Sequence, residues 1–206
     1  MSIRFLYFDL GNVLLYFSHQ RAAAQLAALA GVRPEDVFEG LFRSDVNYRC
    51  DAGQLSGAEF ASHFRERYPC EVPDAIIHQA ASDIFVVNAR MKAVVAQLRA
   101  AGHRLGILSN TCDMHTEFFS SGRYSHIPTD FEVVVLSYKL RMMKPDASIY
   151  LKAAEMAGVA PSEVFYTDDI QANIDGARAA GFDAVLFTTA AEYVEEARRR
   201  GIRFNY

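Results

Sequence analysis

The sequence predicts a three-layer, Rossmann-like α/β fold on a parallel sheet, with an inserted helical subdomain. Five short runs rich in β-branched and aromatic residues have the composition of buried strands. Helical segments separate most of them, an alternation typical of a parallel sheet covered on both faces. About ninety residues of helical character lie between the first two runs, far more than one crossover helix needs.

The elements of the sheet domain follow from these runs and from helix-end signals. The expected strands are residues 3–8, 103–108, 131–136, 164–167 and 182–187. The expected helices are 88–101, 146–157 and 169–181, opened by Asn88, Asp146 and Asp169 and ended at Gly102, Gly158 and Gly181. Together they predict a sheet domain made of residues 1–15 and 89–206.

Residues 16–88 are predicted to form a helical cap subdomain. Its helix signals are Gly31 after residues 19–30, Pro34 in a first turn, a capping box from Ser56 to Glu59, and Asp74 as a cap. The polar stretch 47–53 is expected to be a loop between two of these helices.

Composition and charge argue against several classes of protein. The 206 residues include 21 basic and 25 acidic side chains, a formal charge of -4, and the basic run 198–200 suits a helix end better than a nucleic-acid surface. The apolar stretch 5–17 is too short to span a bilayer. Three cysteines without a close pair predict neither a disulfide framework nor a zinc site, so we expect a reducing, cytoplasmic setting. Nucleic acid and membrane are not expected partners.

Polar residues stand where the predicted strands end. Asp9 follows the first strand, Ser109 and Asn110 the second, and Asp168 and Asp169 the fourth, while Lys144 follows the third by a few residues. Each alone has an ordinary explanation as a helix cap, a turn or a surface lysine. The carboxyl ends of parallel strands meet at one edge, however, where acids can hold a divalent cation while an ammonium and a hydroxyl hold phosphate.

These segments, in this order, resemble the four motifs of the haloacid dehalogenase (HAD) superfamily. The four motifs are Asp9 after an apolar strand, Ser109-Asn110 after another, the pair Lys144-Pro145 after a third, and Asp168-Asp169 after a fourth. The insertion after the first motif resembles the helical cap of the first subfamily. The sequence is similar to small sugar-phosphate phosphatases, such as α-D-glucose-1-phosphate phosphatases, and to the phosphatase domain of soluble epoxide hydrolases.

The resemblance implies a magnesium-dependent phosphatase of small phosphorylated metabolites, with sugar phosphates as the expected substrates. Asp9 would attack phosphorus and form an aspartyl-phosphate. Mg²⁺ would be held by Asp9, by the backbone carbonyl of Gly11 and by Asp169, with Asp168 acting through water or orienting its neighbour. Asn173 lies one helical turn beyond Asp169 and is expected to support the site.

The resemblance also implies a phosphate site. Ser109 and the backbone amides after Asp9, at Gly11 and Asn12, would bind phosphoryl oxygens, and Lys144 would offset the charge of Asp9 beside the phosphate. Asn110 is the weaker candidate in this group, because side-chain direction alternates along a strand.

Gly11 stands where most phosphatases of this superfamily carry a second aspartate, the proton donor to the leaving alcohol. Such a group contributes about 10² to 10⁴ in rate. Three explanations are open. Another group supplies the proton, His115 first and then His19 or Asp51; or the substrate has a good leaving group; or the chain is a pseudoenzyme that binds phosphate without turnover.

Other features also leave alternatives. Relatives often have glycine at the position of Arg141, which either alters a turn or adds a cation over the substrate. Tyr48, Arg49 and Asp51 either bind a polyol or form a solvated turn. A dehalogenase also lacks the second aspartate, but the adjacent Asp168 and Asp169 would repel each other without a cation. Monomer and homodimer both stay open.

Overall fold

The computed structural model of the chain describes residues 2–124 and 126–206. Its strands are β1 (Phe5–Phe8), β2 (Leu15–Tyr16), β3 (Val86–Val87), β4 (Leu105–Ser109), β5 (Val133–Leu136), β6 (Val164–Asp168) and β7 (Asp183–Leu186). Five of these form one sheet in the order β5-β4-β1-β6-β7, and every neighbouring pair in it is parallel. The predicted sheet is confirmed, with strand ends shifted by one or two residues.

The helices alternate with these strands outside the insertion. They are α1 (His19–Ala30), α2 (Pro34–Val37), α3 (Asp45–Asp51), α4 (Gly57–Arg67), α5 (Asp74–Ser82), α6 (Ala89–Ala100), α7 (Asp113–Ser120), α8 (Ser137–Leu140), α9 (Ala147–Ala157), α10 (Gln171–Ala179) and α11 (Ala190–Arg199), with a π-helical turn at Phe38–Phe42 and a 3-10 turn at Pro161–Glu163. Asn88 caps α6 and Asp146 caps α9 through their side chains, as predicted. Within the described residues, none of these helices is both long and apolar enough to cross a lipid bilayer.

Strand β1 shows why the fold has three layers. Leu6 and Phe8 belong to the apolar cluster that contains the buried faces of α6 and α11. Phe5 and Tyr7 point to the other face and join the cluster formed with α9 and α10. Successive side chains alternate across a strand, and burial on both faces explains why this segment is apolar throughout. The strand therefore delivers Asp9 to a sheet edge that is covered from both sides.

The inserted helices have an apolar cluster of their own. Helices α1 to α5 contribute Leu26, Val37, Phe60, Phe64 and Ile77, all nearly or fully buried. The short antiparallel pair β2 and β3 lies where the chain leaves the sheet domain and returns to it. Cys112 and Met114, at the start of α7, also pack into this cluster. The division into residues 16–88 and the rest stays a prediction.

Three local expectations were wrong. The stretch 47–53 is not a loop: α3 occupies most of it, because Ser44 accepts a hydrogen bond from Val46 N and because Val46 and Cys50, one turn apart, are buried. Asp74 is the first residue of α5 rather than its cap. Asp169 does not cap α10; the Ile170 amide that precedes the helix donates to Asp168 Oδ1 instead. The cysteines are free, as expected.

Candidate active site

Lys144 lies between two of the predicted acidic residues. Its Nζ donates hydrogen bonds to Asp9 Oδ1 at 2.8 Å and to Asp168 Oδ2 at 2.6 Å. It also donates to the Leu108 carbonyl oxygen at 3.1 Å and to the Tyr166 hydroxyl at 3.0 Å. The lysine side chain is 1% exposed. These four acceptors therefore replace water around the ammonium group and hold it in one place.

The three buried charges have different pKa shifts. Burial raises the pKa of Asp9 to about 7, against the opposing effect of Lys144. Burial acts to lower the pKa of Lys144, but Asp9 and Asp168 outweigh it and the pKa is raised. For Asp168, burial is outweighed by Lys144 and by hydrogen bonds, so its pKa lies below the ordinary value. Lys144 and Asp168 are thus a stable ion pair at neutral pH, and Asp9 is the acid whose charge depends on what binds next to it.

Asp168 organises the site through its hydrogen bonds. Its Oδ1 accepts from the Ile170 amide at 2.8 Å, and both of its oxygens accept from Asn173 Nδ2, at 3.1 and 3.0 Å. The Tyr166 hydroxyl donates to Oδ2. With Lys144 added, these donors occupy essentially all the lone pairs of the carboxylate. Asn173 therefore supports the site through Asp168 and not, as the helical spacing suggested, through Asp169.

Three carboxylates meet at this edge of the sheet. One oxygen each of Asp9, Asp168 and Asp169 lies within 4.8 Å of the others. If all three carboxylates are ionised, they and the ammonium of Lys144 give a formal local charge of -2, which a divalent cation with oxygen ligands would neutralise. Asp9 Oδ2 and Asp169 Oδ1 accept no hydrogen bond from the described residues, so both are free to bind it. The donor set fits Mg²⁺.

The turn after β1 is shaped around Asn12. Its backbone is in the left-handed region, with φ of 54°, and its Nδ2 donates to Asp169 Oδ2 at 2.9 Å. The Asn12 amide donates to the Leu15 carbonyl, which leaves it unavailable to a phosphate. The amides of Leu10 and Gly11 donate to none of the described residues. These two amides, rather than that of Asn12, are the donors that the turn offers to an anion.

The predicted phosphate-binding residues after β4 have different surroundings. Ser109 is 3% exposed, and among the described residues its Oγ makes only a long hydrogen bond of 3.3 Å, to the Asn110 carbonyl. The Asn110 side chain donates to the Lys144 carbonyl at 3.0 Å and accepts from the Lys144 amide at 2.9 Å. Its amide group is therefore engaged with the main chain that carries Lys144. The phosphate contact expected of Asn110 stays a prediction.

A cavity of about 80 Å³ lies over the site. It is lined by Leu10, Gly11 and Ser109 to Thr111 from the sheet domain, by Phe17, His19 and Asp51 from the inserted segment, and by Phe85 and His115. Liquid water takes about 30 Å³ per molecule, so this space equals two or three waters. It has room for a phosphoryl group.

The residues that could replace the proton donor missing at Gly11 differ in charge state. Burial, assisted by His19, lowers the pKa of His115 to about 4. Burial also lowers the pKa of His19. Both imidazoles are therefore neutral at pH 7 and accept protons poorly there. Burial raises the pKa of Asp51 to about 7, so this carboxyl group is partly protonated at the same pH.

The space beside Gly11 is occupied. A Cβ built on Gly11 would lie 2.8 Å from Phe17 Cε1 and 3.8 Å from Asp9 Oδ2. The Phe17 ring in turn packs against His19 and Phe85, with ring centroids 5.1 and 6.4 Å apart. An aspartate at position 11 would require this ring to move. The missing acid is thus matched by an aromatic side chain that fills its place.

Three other candidates, Tyr48, Arg141 and Arg49, do not line this cavity. Tyr48 and Arg141 line a second, open groove of about 610 Å³ between the end of α3 and the segment 141–148, which includes Lys144. Arg141 has φ of 53°, the left-handed region that glycine favours and that explains the glycine in relatives. Arg49 lies 3.8 Å from Asp45 on the surface of α3. Of the three polar residues expected to meet a substrate, only Asp51 lines the cavity.

Sequence reasoning missed three residues of the site. Tyr166 is inside β6, where an aromatic residue also fits a buried core, and its contacts with Asp168 and Lys144 show that it belongs to the site. Phe17 and Phe85 line the cavity, but aromatic residues in an apolar stretch are also typical of a core. Thr111, directly after Ser109 and Asn110, lines the cavity as well.

Comparisons with known proteins agree with this geometry. A family model for haloacid dehalogenase-like hydrolases matches residues 3–181. A HAD family enzyme from Bacteroides thetaiotaomicron, solved as a magnesium complex, is similar at 26% identity with a TM-score of 0.80, over 96% of this chain and 100% of that one. The same enzyme was also solved with magnesium and inorganic phosphate, with a TM-score of 0.76 over 91% of this chain and 95% of that one.

More distant matches show the fold. The L-2-haloacid dehalogenase of Xanthobacter autotrophicus is 19% identical with a TM-score of 0.65, over 98% of this chain and 85% of that one. Mouse acyl-CoA dehydrogenase family member 10 is 30% identical over 109 residues, 52% of this chain and 10% of that protein, so the chain spans a small part of this curated relative. With the family model matching most of its length, the chain belongs to the haloacid dehalogenase-like hydrolase family.

Proposed function

We propose that this hydrolase is a magnesium-dependent phosphatase that cleaves small phosphomonoesters through an aspartyl-phosphate on Asp9. The supporting observation is the arrangement of Lys144 with Asp9, Asp168 and Asp169: three carboxylates within 4.8 Å and one buried ammonium. This charge pattern suits a divalent cation beside a dianionic phosphoryl group. The HAD family enzyme of Bacteroides thetaiotaomicron, solved with magnesium and inorganic phosphate, supports the same reading.

Each residue of the site then has a task. Asp9 presents Oδ2 to phosphorus or to the metal while Lys144 holds Oδ1. The amides of Leu10 and Gly11 and the hydroxyl of Ser109 bind phosphoryl oxygens. Lys144 reduces the repulsion between the Asp9 carboxylate and an incoming phosphate. Attack by Asp9 divides one displacement into two easier ones, and the carboxylate is released when water cleaves the intermediate.

The metal would be held by Asp9, by Asp169 and by the backbone carbonyl of Gly11. Asp168 would orient the Asp9 carboxylate through Lys144, which hydrogen-bonds both acids. The Gly11 carbonyl accepts from the Val13 amide at 2.7 Å and keeps a second lone pair. When bound, Mg²⁺ supplies positive charge to the phosphoryl oxygens. Asn12 fixes the Asp169 carboxylate, so that its second oxygen stays available.

The substrate class is proposed from the cavity walls. His19, Asp51 and Thr111 supply polar atoms for hydroxyl groups, and the Phe85 ring supplies an apolar face. Such mixed walls suit a small sugar phosphate. Because the observed cavity holds little more than the phosphoryl group, the sugar must enter while the inserted helices are displaced, and their return excludes water from the reaction.

Turnover tests the assignment. Purified protein is assayed for phosphate release from p-nitrophenyl phosphate and a panel of sugar phosphates, with Mg²⁺ or with a chelator. We expect hydrolysis that requires Mg²⁺ and disappears in Asp9→Asn. Asp175→Asn, an acid on the exposed side of α10, is the matched control and keeps full activity. Activity that survives chelation or the Asp9 substitution contradicts the proposal.

A second candidate is a protein that binds phosphate without turnover. Gly11 and the Phe17 ring beside it favour this alternative, because the usual proton donor is absent and its space is filled. Inorganic phosphate and Mg²⁺ would then stabilise the protein against thermal unfolding while every phosphate ester on the panel stays intact. Halide release from a 2-haloacid, measured in the same samples, tests the dehalogenase reaction. The three carboxylates predict that none is released.

A further inference from the structure

Asp51 is an acidic residue of the inserted helices whose main chain is attached to the sheet domain. Ser137 Oγ donates a hydrogen bond to the Asp51 carbonyl oxygen at 2.6 Å, and the same hydroxyl accepts from the Thr111 amide at 2.9 Å. A Cβ on Gly53 would lie 2.3 Å from the Tyr138 carbonyl oxygen, so the turn after α3 touches the sheet domain directly. These contacts hold the main chain around Asp51 against the sheet domain, and Asp51 lines the cavity.

The carboxyl group of Asp51 has almost no polar partner. Its Oδ2 accepts one long hydrogen bond, from Asn47 Nδ2 at 3.4 Å. No lysine, arginine or histidine among the described residues forms an ion pair with it, and burial is the one cause of its raised pKa. Titratable groups around it are Asp45, Arg49 and Cys50 on α3, Cys112, Asp113 and His115 at α7, His19 on α1 and Glu59 on α4. Because this half-buried carboxyl has no charged partner within the described part of the chain, its neutral form is favoured over its ionised form.

Asp51 also has the charge state that a proton donor needs. Its pKa of about 7 leaves it partly protonated at neutral pH, and it can return to the same state after giving up a proton. His115, the first candidate from the sequence, is neutral at this pH because its pKa is about 4. Of the three candidates that line the cavity, Asp51 is the only one that carries a transferable proton at pH 7.

We propose that Asp51 is the general acid and base of this phosphatase and replaces the aspartate that Gly11 lacks. In the first step the Asp9 carboxylate bonds to phosphorus, the bond from phosphorus to the leaving oxygen breaks, and that oxygen takes the proton of Asp51. In the second step the Asp51 carboxylate removes a proton from water. The water oxygen bonds to phosphorus, and the bond to Asp9 breaks. An ester and water become an alcohol and phosphate, and both aspartates return to their starting forms.

This inference rests on the proposed function. Substrates with different leaving groups test the role of Asp51 separately from the phosphatase activity itself. An alkyl phosphate needs its proton in the first step, whereas p-nitrophenolate leaves without one. In Asp51→Asn we therefore expect alkyl phosphate turnover to fall about 10² to 10⁴-fold. With p-nitrophenyl phosphate we expect a rapid burst of about one nitrophenolate per enzyme and then slow release, because only the second step is impaired. The wild-type decline in kcat/KM for the alkyl ester above pH 7 should disappear in the variant.

Controls keep the outcomes distinct. Asp45→Asn changes an exposed acid on the same helix and should behave as wild type. If cooperative thermal unfolding shows that Asp51→Asn does not fold, Asp51→Ser takes its place in the same assays. A folded variant with wild-type alkyl turnover, or without a burst, overturns the role of Asp51, while loss of activity in Asp9→Asn still supports the phosphatase. If wild type releases no phosphate from any ester, both proposals fail.

Discussion

Replacing Lys144 by methionine tests the electrostatic account of the site through stability alone. Four acceptors lie within hydrogen-bond distance of the ammonium and share its three N–H groups, two of them carboxylate oxygens of Asp9 and Asp168, and the side chain is 1% exposed. Removing one member of a buried ion pair leaves the other charge uncompensated and typically costs about 3 to 5 kcal/mol. For a chain of this length, each kcal/mol lowers Tm by about 2 to 4 °C, so a loss of about 6 to 20 °C is expected.

The pH dependence of this loss has a definite sign. The pKa of Asp9 in the folded protein is about 7, above its ordinary value, and loss of Lys144 raises it further. A folded acid with a raised pKa binds its proton more tightly than the unfolded chain does, so stability falls as pH rises through that range. At pH 5 Asp9 is neutral in the variant and the deficit is smaller. At pH 8 the deficit reaches its full value.

Urea unfolding followed by circular dichroism, in chelator at pH 5 and pH 8, measures both quantities. Lys139→Met, an exposed lysine on α8, is the matched control and should stay within about 0.5 kcal/mol of wild type. A Lys144→Met variant within 1 kcal/mol of wild type at pH 8 would refute the claim that the ammonium compensates buried carboxylates. An equal loss of unfolding free energy at both pH values would refute the claim that the uncompensated charge in the variant is the Asp9 carboxylate.

Three further outcomes follow from the same geometry. Mg²⁺ at a hundred times its Kd should stabilise wild type by about 2.7 kcal/mol in thermal unfolding, and Asp169→Asn should lose most of that gain; equal stabilisation of the two would place the metal elsewhere. Gly11→Asp should unfold at a lower temperature than wild type because of its clash with Phe17, and Phe17→Ala in the same chain should restore folding and raise alkyl phosphate hydrolysis; a stable single variant contradicts the clash. Burial raises the pKa of Asp51 to about 7, so ionisation of Asp51 lowers the stability of the fold as pH rises from about 4 to 7. Allowing for its partial exposure, Asp51→Asn should be more stable than wild type by about 1 to 2 kcal/mol at pH 8 and nearly equal to it at pH 5. Calorimetric unfolding of both proteins at the two pH values measures this difference.

The sheet could be predicted because its strands carry unambiguous signals. Each is a short, mostly apolar run, and the inner strands β1, β4 and β6 are buried along their whole length. Helices α6 and α9 begin after Asn88 and Asp146, whose side chains cap them. Parallel topology then brings the strand ends together without further information. The meeting of Asp9, Lys144 and Asp168 follows from chain order alone, although the three are up to 159 positions apart.

Local geometry beyond the strand ends could not be read in the same way. Asp168 and Asp169 are adjacent acids, and only the structure shows that one binds Lys144 while the other binds Asn12. Helix α3 was taken for a loop because its exposed side is polar; the burial that stabilises it belongs to Val46 and Cys50, which need the other inserted helices to be hidden. Tertiary packing decided both cases.

Because Gly11 stands where an aspartate would donate the proton, the inserted helices take a different part in the reaction. An aspartate at position 11 would belong to the same turn as the nucleophile and would need no other element. The Phe17 ring fills that place, and the proposed proton donor is Asp51, which lines the same cavity from the inserted helices. Ser137 binds the Asp51 carbonyl oxygen, so α3 rests on the sheet domain while Asp51 lines the cavity. Proton transfer is then tied to closure over a substrate, and an aspartyl-phosphate exposed by an open lid has no base beside it to activate water.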